Sequence, residues 1–139
     1  MLGKAIALAV EVHTGQKREG GEPYILHPLR MMLKMGTKEE MIVAVLHDTV
    51  EDGDDHVFER IQKMFPNEIS EAVDCLSRRK HEDYSDYIER VMSNDLSKKI
   101  KTKDIEDNIN ALELPKLDEK HLKRIVKYHE MWNKIKAHK

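Results

Sequence analysis

The stretch His47-Asp48-Thr49-Val50-Glu51-Asp52 places four chemically capable side chains within six residues. An imidazole and a carboxylate stand side by side, both of them ligands for a divalent metal, and two more carboxylates follow within one helical turn. On a continuous helix His47 and Glu51 stack at i,i+4, as do Asp48 and Asp52, with the two stacks about 100° apart. A metal held by His47 and Asp48 would have Glu51 and Asp52 beside it, an arrangement suited to acid–base chemistry as much as to ligation. Alone the hexapeptide is a modest signal, because a His-Asp pair on a charged helix arises readily by chance.

The elements that must position these residues can be read from periodicity. Thr37 with Glu40 three residues on forms a capping box, and Ile42, Val45, Leu46 and Thr49 give the following helix an inward face. Before it, Leu2, Ile6, Ala9 and His13 fall on one stripe of an opening helix, where His13 reads as a hydrogen-bonded core histidine in preference to a ligand. The polar segment from Thr14 to Gly21 is a loop by its glycines. Its Arg18 is either a solvated charge or a guanidinium placed to grip an anionic substrate. Pro28 is tolerated in a first helical turn, so His27 is expected at the mouth of a helix running Leu29 to Met35, as a capping residue or as a ligand.

Beyond the hexapeptide, Gly53-Asp54-Asp55 breaks the chain. Phe58, Ile61 and Phe65 mark a short helix ending at Pro66, and Ile69, Ala72, Val73 and Leu76 mark another. Arg78-Arg79-Lys80-His81-Glu82-Asp83 is a charged connector, a solvated loop by default and a phosphate holder otherwise. In the helix Tyr84 to Met92, Tyr87 and Arg90 pair at i,i+3 as surface packing or as part of a substrate wall. A helix from about Leu96 to Leu112 directs Ile100, Ile105, Ile109 and Leu112 inward. On an adjoining stripe it carries Asp104 and Asn108, and Asp104 either closes a metal shell or sits near the surface. A last helix, Asp118 to Ala137, is expected to bury Leu122, Ile125, His129 and Trp132. No segment alternates with strand periodicity, so the fold class is all-α.

Composition bounds the rest. The chain of 139 residues reads as a single domain spanning 1–139. Charged residues make up 36% and apolar residues 40%, which suits a soluble helical protein and argues against disorder. Lys+Arg 24 against Asp+Glu 26 leaves a net charge of −2, so no long-range attraction to nucleic acid or an anionic membrane is expected. No apolar run approaches a membrane span and no signal pattern opens the chain. Cys75 is the single cysteine, and a cytoplasmic, reducing setting fits. Either a monomer or a homodimer is compatible with the sequence.

His27, His47, Asp48 and Asp104 together make a two-His, two-Asp shell drawn from three helices. Mixed nitrogen and oxygen ligands without thiolate suit Mn²⁺, Fe²⁺ or Zn²⁺ better than Ca²⁺. These residues, with His13-Thr-Gly-Gln-Lys-Arg18, Gly21-Glu-Pro-Tyr-Ile-Leu-His27-Pro28, the central hexapeptide and the Asp104…Asn108 pair, resemble the HD-domain hydrolases of the RelA/SpoT type. Members of that family remove pyrophosphate from the alarmone ppGpp, and the resemblance covers nearly the whole chain.

It implies an HD-domain helical bundle of about seven to eight helices. It also implies a divalent ion, Mn²⁺ first, on His27, His47, Asp48 and Asp104. Glu51 and Asp52 would serve the attacking water and the leaving group, with Arg18 and Asn108 as substrate contacts. The run from Ser77 to Arg90, with Tyr87 and Arg90 as further candidate substrate contacts, is similar to small stand-alone HD proteins. Ile105, Glu19 and Ala111 depart from residues common in alarmone hydrolases, which bears on nucleotide recognition and leaves the metal chemistry intact. The expected activity is nucleotide pyrophosphate hydrolysis of the ppGpp 3′ type. The alternatives are another nucleotide phosphohydrolase and a catalytically silent nucleotide-binding HD domain.

Overall fold

The computed structural model describes residues 1–110 and 114–138; the inward position expected for Leu112 lies outside them. The helices are α1 (Leu2–His13), α2 (Leu26–Leu33), α3 (Lys38–Leu46), α4 (Thr49–Asp52), α5 (Val57–Met64), α6 (Asn67–Leu76), α7 (Tyr84–Met92), α8 (Asp95–Asn108) and α9 (Glu119–Ala137). Among the described residues there is no strand beyond an isolated bridge between Lys17 and Pro23, which closes the base of the 14–22 loop. No described helix is long and apolar enough to cross a membrane.

The centre of the bundle is α3. Ile42 through Leu46 are all buried, so this helix is apolar on every side and packs against α1, α2, α6 and α8. Its start is fixed by the capping box: Glu40 N–H donates to Thr37 Oγ1 at 3.1 Å, and Thr37 N–H donates to Glu40 Oε1 at 3.0 Å. A cap of this kind contributes about 1 kcal/mol and sets where the helix begins. It therefore also sets which residues stand at the other end, which are His47 and Asp48.

At that end the expected continuous helix is interrupted. The α3 ladder stops at Leu46, Asp48 adopts φ −104° and ψ 0°, and α4 restarts as a single turn. Local side chains compete for the carbonyls that would continue the ladder. His47 Nδ1 lies 2.7 Å from Ala44 O, and Thr49 Oγ1 donates to Leu46 O at 2.7 Å. The break turns His47 and Asp48 toward a common point instead of onto two separate stripes.

Gly53 ends α4 under steric compulsion. A Cβ there would stand 2.5 Å from Val57 Cγ2 and 2.7 Å from the Thr49 carbonyl oxygen, the latter being backbone that cannot swing aside. Gly53→Ala is expected to cost about 1–3 kcal/mol by overpacking, read as a lowered denaturation midpoint.

Two helix boundaries and one helix face differ from the sequence reading. α2 begins at Leu26, not Leu29, so His27 lies inside the first turn, with its N–H on Tyr24 O at 3.0 Å. α8 starts at Asp95, capped by Asn94 accepting from Ser97 N–H, and ends at Asn108. In α9 the inward stripe is His121, Met131 and Ile135, with Ile125, Tyr128 and Trp132 half-buried, while Leu122 and His129 face solvent. The capping box at Asp118 and His121 turns His121 inward, and Trp132 Nε1–H reaches Glu106 at 3.2 Å. These contacts rotate the apolar residue Leu122 off the core.

Candidate metal centre

Three elements bring the four candidate ligands together: the first turn of α2 supplies His27, the α3–α4 break supplies His47 and Asp48, and the middle of α8 supplies Asp104. One ligand atom from each lies within 4.8 Å of all the others. Asp104 Oδ1 is 2.9 Å from His27 Nε2 and 3.2 Å from His47 Nε2, and Asp48 Oδ2 is 3.0 Å from His47 Nε2. His27, His47 and Asp104 are buried, whereas Asp48 is only partly so and opens the cluster on one side.

The ring orientations follow from what stands behind each imidazole. A carbonyl oxygen can only accept, so the 2.7 Å contact with Ala44 O puts a hydrogen on His47 Nδ1. The carboxylate of Asp107, 2.6 Å from His27 Nδ1, does the same for His27. Both rings therefore turn Nε2 toward the cluster, the nitrogen a metal would use. Burial disfavours the charged rings, but the carboxylates outweigh it. Hydrogen bonds to Asp104 and Asp107 raise the His27 pKa, and Asp48 with Asp104 raises that of His47 well above its ordinary value. Burial likewise opposes the carboxylates, and His47 holds Asp48 low, while Lys101 and the two histidines hold Asp104 well below the carboxylate range. A divalent cation bound here would replace imidazole protons, which couples metal uptake to proton release.

Three residues that sequence reasoning did not select complete this arrangement. Asp107 is buried and serves as a hub: besides His27 it accepts from Arg30 Nε and Nη2, both at 2.9 Å, and from Arg18 Nη1 at 3.1 Å. Arg30 is itself held by Glu22 at 2.6 and 3.0 Å. Lys101 Nζ donates to Asp104 Oδ2 at 2.8 Å, leaving Oδ1 for the cluster, and stands over the Tyr87 ring at 5.3 Å. Tyr24 donates its hydroxyl to Asp48 Oδ2 and packs its ring between His13 and His27. The spacing Asp104 to Asp107, one turn along a stripe, was the available signal for the hub. Asp107→Asn is expected to weaken Mn²⁺ binding about 10- to 100-fold with little change in helicity, measured by metal titration.

The remaining candidates divide into two groups. Glu51 and Asp52 flank the cluster on α4. Glu51 accepts from the Arg78 backbone N–H, and desolvation, with Asp48 adding repulsion, pushes its carboxyl up to about 6. The Asp52 pKa is raised too, chiefly by desolvation, and Asp52 accepts from Gln16 Nε2 at 3.1 Å. Gln16 is in turn oriented by the buried His13, whose Nδ1 is 2.9 Å from Gln16 Oε1. Arg18 Nη2 donates to Asn108 Oδ1 at 2.9 Å, and Asn108 Nδ2 donates to Asp104 Oδ1 at 2.9 Å, so both adjoin the cluster.

Tyr87 and Arg90 form the second group. Tyr87 is buried with its hydroxyl on Leu76 O at 2.8 Å, and Arg90 brackets the 77–83 connector through Glu82, Asp74 O and Ser77 O. Neither lines the cleft described next, and Tyr87 adjoins the cluster through Lys101, whose ammonium stands over its ring.

Beside the cluster lies a cleft of about 420 Å³, large enough for a small-molecule ligand, whose lining includes Gln16 to Gly20, Tyr24, Asn108 and the α9 residues His121, Arg124 and Tyr128. Comparison with known proteins bears on what such a site is. The HD domain family matches residues 5–107. The putative chloroplastic GTP diphosphokinase RSH1 of Oryza sativa subsp. japonica is 51% identical over 65 residues, covering 44% of this chain and 7% of that protein. The corresponding Arabidopsis thaliana protein is 39% identical over 103 residues, 67% of this chain and 12% of that one.

The guanosine-3′,5′-bis(diphosphate) 3′-pyrophosphohydrolase of Aquifex aeolicus is 39% identical over 79 residues, 54% of this chain and 11% of that protein. The chain thus spans about a tenth of the length of these curated relatives. A solved structure described as a metazoan ortholog of SpoT that hydrolyzes ppGpp superposes with a TM-score of 0.81 at 19% identity. That match covers 99% of this chain and 86% of the other, and at this identity it speaks for the fold. With most of its length matched by the family, and with relatives of this kind, the chain belongs to the HD-domain family, of the RelA/SpoT type.

Proposed function

We propose that this domain is a metal-dependent nucleotide pyrophosphohydrolase, with the 3′-pyrophosphate of a ppGpp-type nucleotide as its leading substrate. The observation that carries this reading is the pair of buried imidazoles, each fixed from behind at Nδ1 so that Nε2 converges with Asp104 Oδ1 and Asp48 Oδ2. His27, His47, Asp48 and Asp104 would hold the ion, Mn²⁺ first among Mn²⁺, Fe²⁺ and Zn²⁺. When bound there, such an ion supplies Lewis-acid stabilisation of phosphoryl oxygens and a readier water.

The residues around it supply the rest. Glu51, with a carboxyl near neutrality, takes the proton from the attacking water, and Asp52, steered by Gln16, serves the departing oxygen. Water adds to the phosphorus attached to the 3′ oxygen, that P–O bond breaks, and the 3′ oxygen leaves protonated, releasing pyrophosphate and a nucleoside 5′-diphosphate. Arg18 and Asn108, at the junction of cluster and cleft, bind phosphoryl oxygens and carry their charge. The name of the Aquifex relative supports the choice of substrate. A small-molecule nucleotide, not a nucleic acid, is the ligand, and a reducing cytoplasmic setting suits the chain.

The test is a panel of ppGpp, nucleoside mono- and triphosphates and NADPH, incubated with Mn²⁺ and resolved by product. Pyrophosphate from the 3′ position of ppGpp supports the reading. Inorganic phosphate from a 5′ position would transfer the assignment to a different nucleotide hydrolase, and tight binding without turnover would make the domain a silent binder.

A further inference from the structure

The cleft holds a second polar cluster that the proposed reaction leaves unused. Its inner end is set by Tyr24 and Asn108, which hydrogen-bond to Asp48 and Asp104. The wall contributed by α9 carries His121 and Arg124. His121 is 6% exposed, with its Nε2 2.7 Å from Glu19 Oε1. A carboxylate only accepts, so that nitrogen carries the hydrogen and donates. Arg124 Nη1 stands 3.6 Å from the other oxygen, Glu19 Oε2. Glu19 comes from the 14–22 loop, is about half exposed at 51%, and lines the same cleft. The His121 hydrogen bond keeps the Glu19 carboxyl below its ordinary range, so the acid is a full anion at neutral pH.

We propose that His121 and Arg124 form a second anion subsite, for a phosphate at the nucleotide end remote from the metal, and that Glu19 occupies it until a nucleotide binds. An imidazole N–H and a guanidinium fork offer a phosphate the same donors they offer a carboxylate. The loop acid is tethered and partly solvated, so an incoming phosphate exchanges with it at modest cost. Its charge nonetheless opposes the exchange, which makes Glu19 an internal competitor and sets how strongly charge at the remote end contributes to affinity. The inference rests on the reading of this cleft as the nucleotide site.

It is tested by calorimetric titration of the Mn²⁺-loaded protein with guanosine 3′-phosphate bearing none, one or two phosphates at the 5′ position. None of these ligands has a 3′-pyrophosphate to lose. Glu19→Gln is expected to tighten binding of the ligand with two 5′ phosphates about tenfold, and Arg124→Ala to weaken it about tenfold, by through-space charge in a partly solvated cleft. The ligand without a 5′ phosphate is expected to bind all three proteins alike. Both effects should shrink as salt rises from about 0.1 M to 1 M and the screening length falls from about 10 Å to 3 Å. Equal shifts for all three ligands, or no shift for the doubly 5′-phosphorylated one, would overturn the subsite. If ppGpp is hydrolysed yet neither substitution discriminates, the subsite falls and the reaction stands; the charge-dependent pattern without turnover of ppGpp has the opposite meaning.

Discussion

Asp104→Ala is expected to yield a protein that purifies without its divalent ion and turns over nucleotide at least about a thousandfold more slowly. Asp104 Oδ1 lies within hydrogen-bond distance of both imidazoles, at 2.9 and 3.2 Å, and it also receives Asn108 Nδ2–H at 2.9 Å. Removing it leaves two rings and Lys101 without their shared anion, so the mutual repulsion of the cations replaces a cation site. A metal contributes several kcal/mol of transition-state stabilisation, and each 1.36 kcal/mol is about tenfold in rate, which gives the magnitude. Stripping a partner from buried charges also costs stability, on the order of 3–5 kcal/mol. The isosteric Asp104→Asn therefore serves as the second variant. Metal content by elemental analysis, beside helicity by circular dichroism, separates lost ligation from lost fold; a full complement of metal in the folded variants would remove Asp104 from the shell.

Glu51→Gln is expected to keep the metal and lose about 10²- to 10⁴-fold in turnover, the usual worth of a positioned general base. It also makes a pH prediction with a definite sign. A base works only when ionised, and the Glu51 carboxyl is pushed up to about 6, so the wild-type rate should climb as pH rises through about 6 and level off above it. The glutamine variant has no proton to lose and should lack that limb. Initial rates across pH at saturating metal provide the check. A retained limb in the variant assigns it to another group, and an unchanged rate ends the role of Glu51 as base.

What could be read from residues alone was the part of the design written in local chemistry. The capping box at Thr37, the apolar run after it and the His47-Asp48 pair follow directly from residue type and spacing, and they fix the centre of the bundle. The break at His47-Asp48 was not legible, because it depends on whether a histidine and a threonine take carbonyls that a helix would otherwise use, and continuous helix is the simpler pattern. For α9, apolar residues lie on two adjoining faces, and periodicity could not choose between them. The face that turns inward is the one whose polar residues find partners, His121 in its capping box and on Glu19, 102 residues away, and Trp132 on Glu106. Asp107 was hidden in a run of charges, where one buried acid looks like its solvated neighbours until Arg18, Arg30 and His27 are seen around it. Tyr87 and Arg90, adjacent on a helical face, have the same spacing whatever they contact, and their partners Leu76 O and Glu82 emerge only once the chain is folded.

The central claim is geometric: four side chains from three elements of the bundle share one cation. Diffraction from crystals of the Mn²⁺-loaded protein, recorded to give manganese anomalous differences, tests it most directly. A single strong peak about 2.0–2.3 Å from His27 Nε2, His47 Nε2 and one oxygen each of Asp48 and Asp104 is the predicted result. A map without a peak among these four residues, or with manganese bound at another place on the molecule, would contradict it.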